Sequence, residues 1–233
     1  IKIDLLCGMD YNGFMRLCCK REYFGRSFSE MGKINSVKKL TDNKFVNLYE
    51  VDATSVHDTP VSYFVASRAK CVEDLKLSTG ENHPDGVIIY SVYGEKRDRV
   101  VLIRQYRYTI GGYIYEFPAG LVEPGEDFHE GAVREMFEET GLKLEPIKVA
   151  EAFEKPYFTT IGMTDESCAT VYGYASGEVS KAAQEDSEEI EVVIADRDEV
   201  KRILKEERVA IMCAYMLMHF LEDEEVFGFL GEI

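Results

Sequence analysis

The sequence predicts an α/β (α+β) protein in which a mixed β-sheet lies between helices, with a small additional β-sheet segment near its N-terminal side. Three observations predict this architecture: alternating, strand-like stretches before residue 105, an acidic helix near residues 127–140, and two helices after residue 196. Helices that pack on both sides of one sheet bury both of its faces. With 233 residues, 45% of them hydrophobic, the chain suits one domain with an appendage.

The elements are predicted from alternation and turn residues. Alternation of apolar and polar residues predicts two hairpins, with strands at residues 44–52 and 61–68 and at 86–90 and 100–104. The segments His57–Pro60 and Gly94–Asp98 supply the turns. Further strands are predicted near 147–153, 168–175 and 190–194, and helices near 197–206 and 208–222.

A spaced set of residues between Gly120 and Leu142 carries most of the chemical information. Written as a pattern it is G-x5-E-x7-R-E-U-x-E-E-x-G-U, where U is an aliphatic-type residue. Asp127 and Glu130 are typical of a helix start, and Gly141 is typical of a helix stop. At about 100° per residue, one side of this helix is predicted to carry Ala132, Val133, Met136, Phe137 and Thr140, and the opposite side Glu135, Glu138 and Glu139.

Three glutamates on one side of a helix repel one another, whereas an ordinary surface helix alternates its charges. Two interpretations are open, a solvated acidic face and a metal site. Residues 116–126, which precede the helix, carry glycines and prolines that hold one backbone path against it, and this favours the metal site. Oxygen ligands of this kind suit Mg²⁺ or Mn²⁺ better than zinc.

These residues resemble the Nudix box, and the chain is similar to Nudix hydrolases. Residues 104–107 and 113–120, together with Pro156 and residues 162–166, resemble the ADP-ribose pyrophosphatase branch of that family. The resemblance implies the Nudix fold and metal-dependent hydrolysis of the diphosphate bond of ADP-ribose to AMP and ribose 5-phosphate. Two alternatives stay open: another nucleoside diphosphate-X, such as a nucleotide sugar or a dinucleotide, or a catalytically silent nucleotide sensor.

The resemblance also implies roles for individual residues. The metal ligands would be three helix glutamates and one backbone carbonyl, namely Glu135, Glu138, Glu139 and Ala119. Arg134 would orient the glutamates by ion pairing, and Glu126 would support the junction between loop and helix or bind a metal through water. A carboxylate from the acidic loop at residues 184–190 would position or deprotonate the attacking water; Glu188 is the best match, with Glu185, Asp186 and Glu166 as alternatives.

Arginines are the natural partners of the substrate phosphates, since a guanidinium group binds two oxygens at once. Arg68, Arg104 and Arg107 are the candidates by position, and Arg107 is the preferred diphosphate contact. The resemblance implies that Phe45 and Tyr63 lie near the adenine, although packing within the sheet explains both residues nearly as well. The substrate-binding candidates are therefore Arg107, Arg68, Phe45, Tyr63 and Glu116.

Composition limits the partners of the chain. A formal net charge of −16 argues against nucleic acid or an anionic membrane as the main partner. The six cysteines show no paired metal-binding spacing and no secretory signal is visible, so reduced thiols and a cytoplasmic location are expected. The apolar run at residues 209–221 is shorter than the roughly 20 residues that span a bilayer, and it predicts a buried helix.

Three regions are expected along the chain. Residues 1–30 do not resemble the family and are interpreted as an extension or an upstream-start artefact. Residues 31–80 are expected to form an N-terminal β segment. The resemblance implies that this segment mediates a homodimer and contributes to the substrate site of the second subunit. Residues 81–233 form the hydrolase domain.

Overall fold

The computed structural model describes residues 31–184, 189–222 and 225–231 and divides into two compact units between Val72 and Glu73. In the first unit, β1 (Lys33–Lys39), β2 (Asn47–Thr54) and β3 (Pro60–Ser67) form an antiparallel sheet in that order. The predicted hairpin of β2 and β3 is confirmed, whereas β1 was not predicted.

The second unit contains one eight-stranded sheet. Its strands are β4 (Gly86–Tyr93), β5 (Arg99–Arg107), β6 (Gly112–Glu116), β7 (Ala119–Leu121), β8 (Lys143–Pro146), β9 (Tyr157–Phe158), β10 (Ser167–Ser176) and β11 (Ile190–Ala195). The central path of the sheet runs β11-β5-β4-β10-β8, with β6 paired to β5, β7 to β4 and β9 to β10. The β4–β10 pair is parallel and the other pairs are antiparallel, so the sheet is mixed.

Strands β4 and β5 diverge, and this divergence creates the place for the site. They pair directly only at Val92–Val100 and Tyr93–Arg99. Beyond that point β5 pairs with β6 and β4 pairs with β7, so the segment from β6 to β7 passes between the two parting strands. The Pro118 carbonyl, at the crossing, accepts a hydrogen bond from the Ile89 amide at 2.9 Å.

Helices cover both faces of this sheet. The helices are α1 (Lys76–Thr79), α2 (Phe128–Thr140), α3 (Glu151–Glu154), α4 (Arg197–Glu206) and α5 (Ile211–Glu222), followed by a 3-10 turn at Gly228–Leu230. One face of the sheet packs against Ala132 and Met136 of α2, and the other packs against α4 and α5. A mixed sheet between helices is therefore confirmed.

The prediction of a strand near residues 147–153 is wrong. Strand β8 ends at Pro146, and residues 151–154 form the short helix α3. The backbone closes on itself here, because the Phe153 amide donates to the Ala150 carbonyl at 2.9 Å and the Lys155 amide donates to the Glu151 carbonyl at 2.9 Å.

Helix α5 is buried on one side only. Cys213, Met216, Leu217 and Phe220 are buried, whereas Ile211 and Tyr215 are more than 60% exposed. The predicted helix is confirmed, but the expectation that the whole apolar run is buried is wrong. Within the described ranges, the structure contains no helix with the length and apolar character needed to cross a membrane.

Candidate active site

Helix α2 carries the acidic residues, and its two ends are fixed as the sequence predicts. The Asp127 side chain accepts a hydrogen bond from the His129 amide, and Gly141 ends the helix in the left-handed conformation, with φ of 75°. A Cβ at position 141 would lie 2.6 Å from Cβ and 2.7 Å from the backbone nitrogen of Ser180. Position 141 therefore requires glycine both for its conformation and for the close approach of the chain after β10.

The orientation of α2 about its axis differs from the prediction. Val133 and Phe137, expected on the buried side, are 40% and 52% exposed. Glu139, expected on the polar side, is only 2% exposed. The cause is the crossing segment between β6 and β7, whose Ala119 amide donates to the Glu139 carboxylate at 3.0 Å and so draws this acidic edge of the helix inward.

Glu135 is held against the backbone of β7. An ideal Cβ built on Gly120 would lie 1.9 Å from the carboxylate carbon of Glu135 and about as close to both of its oxygens. The carboxylate therefore occupies the space that any other residue at position 120 would fill. The first glycine of the motif is required for access of Glu135 to the loop, and φ at this position is not left-handed.

Arg134 organises the remaining carboxylates. Its guanidinium binds Glu126 through two hydrogen bonds of 3.0 Å, and it also donates to Glu135 at 2.7 Å and Glu138 at 3.0 Å. A further hydrogen bond of 3.0 Å reaches the Leu121 carbonyl. The hydrogen bonds that Arg134 donates to Glu126 raise the pKa of Arg134. Together with the bond from the Glu123 amide, they lower the pKa of the Glu126 carboxyl.

The donor set fits a hard divalent cation, although it is not assembled into a coordination shell. In the described part of the chain, no three acidic, histidine or cysteine side chains converge closely enough to hold a metal. Glu135 and Glu138 are engaged by Arg134, and Glu139 by the Ala119 amide. A buried carboxylate beside two partly exposed ones nevertheless supplies oxygen ligands and negative charge at one place, which suits Mg²⁺ or Mn²⁺.

Arg107 and Glu116 form an ion pair on the α2-facing side of the sheet. Arg107 Nε lies 2.7 Å from Glu116 Oε2. Gln105 is on the same face as Arg107, because residues two apart in a strand point the same way. Arg104 points to the opposite face, where it pairs with Glu191 at 3.4 Å and lies over the Tyr113 ring. The structure therefore separates Arg104 from the candidate site and keeps Arg107 with it.

The acidic loop is anchored at both ends. On one side, the Gln184 side-chain amide donates to the Glu139 carbonyl at 2.6 Å. On the other side, the Glu189 backbone carbonyl accepts a hydrogen bond from the Tyr106 amide at 3.1 Å. The Glu189 carboxylate accepts a hydrogen bond from the Tyr113 hydroxyl. Glu188, and the alternatives Glu185 and Asp186, lie outside the described residues.

Glu166, the third alternative, belongs to a different loop. Its carboxylate accepts from the Thr159 hydroxyl at 3.1 Å, and its amide donates to the Thr164 hydroxyl. The role of Gln184 was not predicted. The available signal in the sequence was its position directly before the acidic run.

The remaining candidates belong to the first unit. Phe45 precedes β2 and is 63% exposed, and Tyr63 of β3 is 43% exposed. Arg68 directly follows β3 and is half-buried. Both aromatic rings are thus available at the surface of this unit.

A family model, the NUDIX domain, matches residues 82–214, which is more than half of the chain. The chain belongs to the Nudix family. The predicted resemblance to Nudix hydrolases is therefore confirmed, and so is the prediction that the chain is a Nudix pyrophosphohydrolase.

Two curated relatives of this Nudix chain are about equally similar to it. A methanol dehydrogenase activator from Bacillus methanolicus is 28% identical over 165 residues, covering 66% of this chain and 84% of the relative. An ADP-ribose pyrophosphatase from Bacillus subtilis is 28% identical over 149 residues, covering 59% and 76%.

A solved structure supports the Nudix fold. The crystal structure of an ADP compounds hydrolase aligns with a TM-score of 0.54 and 18% identity, covering 76% of this chain and 84% of that one. At this identity the likeness concerns the fold, in which the mixed sheet and its helices correspond.

Proposed function

We propose that this chain hydrolyses the diphosphate bond of ADP-ribose to AMP and ribose 5-phosphate, with the help of a divalent cation. The observation that carries the proposal is the position of Glu139, a carboxylate that is 2% exposed and is fixed by the Ala119 amide beside Glu135. Burying a carboxylate is costly unless its charge is used or compensated. The ADP-ribose pyrophosphatase from Bacillus subtilis among the relatives supports this choice of substrate.

Each residue of the site has a separate task in this proposal. Arg107 binds the diphosphate and is held in place by Glu116. Arg134 positions the glutamates through its ion pairs. A water molecule attacks one phosphorus in line, forming the new oxygen–phosphorus bond as the bridging oxygen leaves with the bond pair. The proton of the water passes to a loop carboxylate, for which Glu188 is the candidate.

Glu135, Glu138, Glu139 and the Ala119 carbonyl would hold a divalent cation, Mg²⁺ or Mn²⁺, which when bound would neutralise the diphosphate and lower the pKa of water. Each of these groups lies on α2 or on the adjoining β7. The ligands are therefore presented by two elements whose relative position Gly120 fixes.

Product identification after incubation of the purified protein with ADP-ribose and Mg²⁺ tests this function. Ion-exchange chromatography should show AMP and ribose 5-phosphate, formed fastest from ADP-ribose and abolished by a chelator. Nucleotide sugars and dinucleotides run in parallel. Faster turnover of one of these would transfer the proposal to that substrate, and no turnover of any would favour a nucleotide sensor.

Assembly and location complete the proposal. We propose that residues 31–80 mediate a homodimer in which Phe45, Tyr63 and Arg68 contact the nucleotide bound by the other subunit. Light scattering coupled to size-exclusion chromatography should give about twice the mass of 26.5 kDa. A monomer would overturn this assignment. The cysteine usage favours a cytoplasmic protein.

A further inference from the structure

Arg208 lies between α4 and α5, about 100 residues after Arg107 in the sequence. Its backbone is fixed at the edge of β6, since its carbonyl accepts from the Tyr115 amide at 2.8 Å. The Ala210 amide donates to the Tyr115 carbonyl at 3.0 Å, so residues 208–210 run alongside β6 as a short parallel bridge.

The side chain of Arg208 points to the α2-facing side of the sheet. Val209, its neighbour, stands opposite the buried Tyr115 in the bridge to β6 and packs with it into the core beneath α4 and α5, so Arg208, one residue earlier in this extended segment, points to the opposite face. The same result follows from Gly112. A Cβ at Gly112 would share a face with Glu116, and it would lie 2.9 Å from Nη1 of Arg208. The guanidinium therefore covers Gly112.

Gly112 stands directly opposite Arg107 in the β5–β6 ladder. Side chains opposite one another in such a ladder have Cβ atoms about 5 Å apart, so Arg208 and Arg107 are neighbours on one face. Arg107 is paired with Glu116, whereas Arg208 forms no ion pair with any residue that the structure describes. Two adjacent guanidinium groups, only one of them paired, favour an anion between them.

Gln105 adds a second observation. It lies on the same face, next to Arg107 along β5, and is 6% exposed. Its side-chain oxygen has no hydrogen-bond partner in the described part of the chain. A buried acceptor without a donor costs free energy unless a ligand or water supplies the donor. The row of Arg208, Arg107 and Gln105 thus offers donors for phosphate oxygens and an acceptor for a hydroxyl group.

We propose that Arg208 is a substrate-binding residue that, with Arg107, contacts a phosphate of a nucleoside diphosphate, while Gln105 accepts a hydrogen bond from a sugar hydroxyl. This inference rests on the proposed function for its substrate class. Arg208 binds substrate and takes no part in proton transfer, so its loss acts on KM and leaves kcat nearly unchanged.

The test compares Arg208→Gln with Arg208→Lys and the matched control Lys205→Gln, which removes one positive charge from the exposed end of α4. With ADP-ribose and Mg²⁺, Arg208→Gln should raise KM by about 10- to 100-fold, the factor expected for one charge-assisted hydrogen bond. Arg208→Lys should raise KM less, and Lys205→Gln should leave it unchanged. Unaltered melting temperatures establish that the variants are folded.

Gly112→Ala probes the same contact without changing Arg208. The new Cβ would displace the guanidinium, so KM should rise in the wild-type background but not further in Arg208→Gln. Additive effects of the two substitutions would contradict the contact.

Titration calorimetry with ADP-ribose and Ca²⁺ separates this proposal from the proposed function. A weaker Kd for Arg208→Gln supports the assignment even where the wild type does not hydrolyse ADP-ribose, and that result would overturn only the hydrolysis. Normal hydrolysis with KM and Kd unchanged in Arg208→Gln would overturn the role of Arg208. A fall in kcat alone would overturn it too.

Discussion

Gly120→Ala tests the packing of Glu135 against the backbone. The added Cβ would lie 1.9 Å from the Glu135 carboxylate carbon. Since carbon atoms in contact are about 3.5 Å apart, the carboxylate must move by about 1.6 Å. A misplacement of about 1 Å in a catalytic site can cost about 100-fold in rate, so kcat should fall by at least about that factor.

The fold should tolerate this substitution. The displaced group is the end of a flexible side chain, and φ of Gly120 is not left-handed. Gly→Ala at a compatible position stabilises by about 0.4–1 kcal/mol, which offsets the weakened contact between Arg134 and Glu135. The melting temperature should therefore change by only a few degrees.

Steady-state kinetics and calorimetric melting of Gly120→Ala provide the measurement. Gly228→Ala is the matched control, because its Cβ would meet its nearest neighbour at an ordinary 3.7 Å. Wild-type kcat in Gly120→Ala would refute the packing argument. A lost fold would show that position 120 serves stability instead.

Four more substitutions and conditions follow from the site. Glu139→Gln removes the carboxylate charge, so kcat should fall by at least about 100-fold. The melting temperature should change little, because glutamine keeps an oxygen acceptor for the Ala119 amide. Near-normal turnover would contradict the metal-site assignment. Arg134→Ala should lower the free energy of unfolding at pH 7 by about 1–3 kcal/mol, measured by urea titration. Because hydrogen bonds from Arg134 lower the pKa of Glu126 from 4.5, this stabilisation is present above that pH and lost as the pH falls through the lowered pKa; the variant should lack that part of the pH dependence. Gly141→Ala should cost about 2–4 kcal/mol from its positive φ and its steric overlap, and Gly80→Ala, with φ of 69° but open space, should show the conformational part alone. Chelation should weaken ADP-ribose binding, and added salt should partly restore it, because uncompensated glutamates repel the diphosphate; an equal Kd with and without chelator would contradict this.

The sequence predicted the elements whose signals are local. Asp127 and Gly141 fixed the ends of α2 because capping depends on one side chain and one backbone conformation. Strands β10 and β11 have long apolar runs and were predicted within about two residues, the usual uncertainty of an element boundary. Strands β6 and β7 have five and three residues, too few to establish an alternating pattern.

The sequence predicted which glutamates belong to the site, but not which of them is buried. Helical periodicity placed Glu139 with the other glutamates on the polar side, yet it is buried because of the Ala119 amide, which comes from another element. The same applies to Arg208, whose position depends on a pairing between β6 and a segment about 90 residues later. Such contacts are set by tertiary structure and leave no periodic trace in the sequence.

The distribution of cations explains how a chain with a net charge of −16 can bind an anionic substrate. Arg134 forms ion pairs with the glutamates of the site and is not available to the substrate. Arg104 lies on the opposite face of the sheet, paired with Glu191. Arg107 and Arg208 are left on the α2-facing side, and the acidic surface elsewhere is screened within about 8 Å at physiological salt. Attraction for the diphosphate is therefore local, so removing one of these two arginines should matter far more than removing any surface lysine.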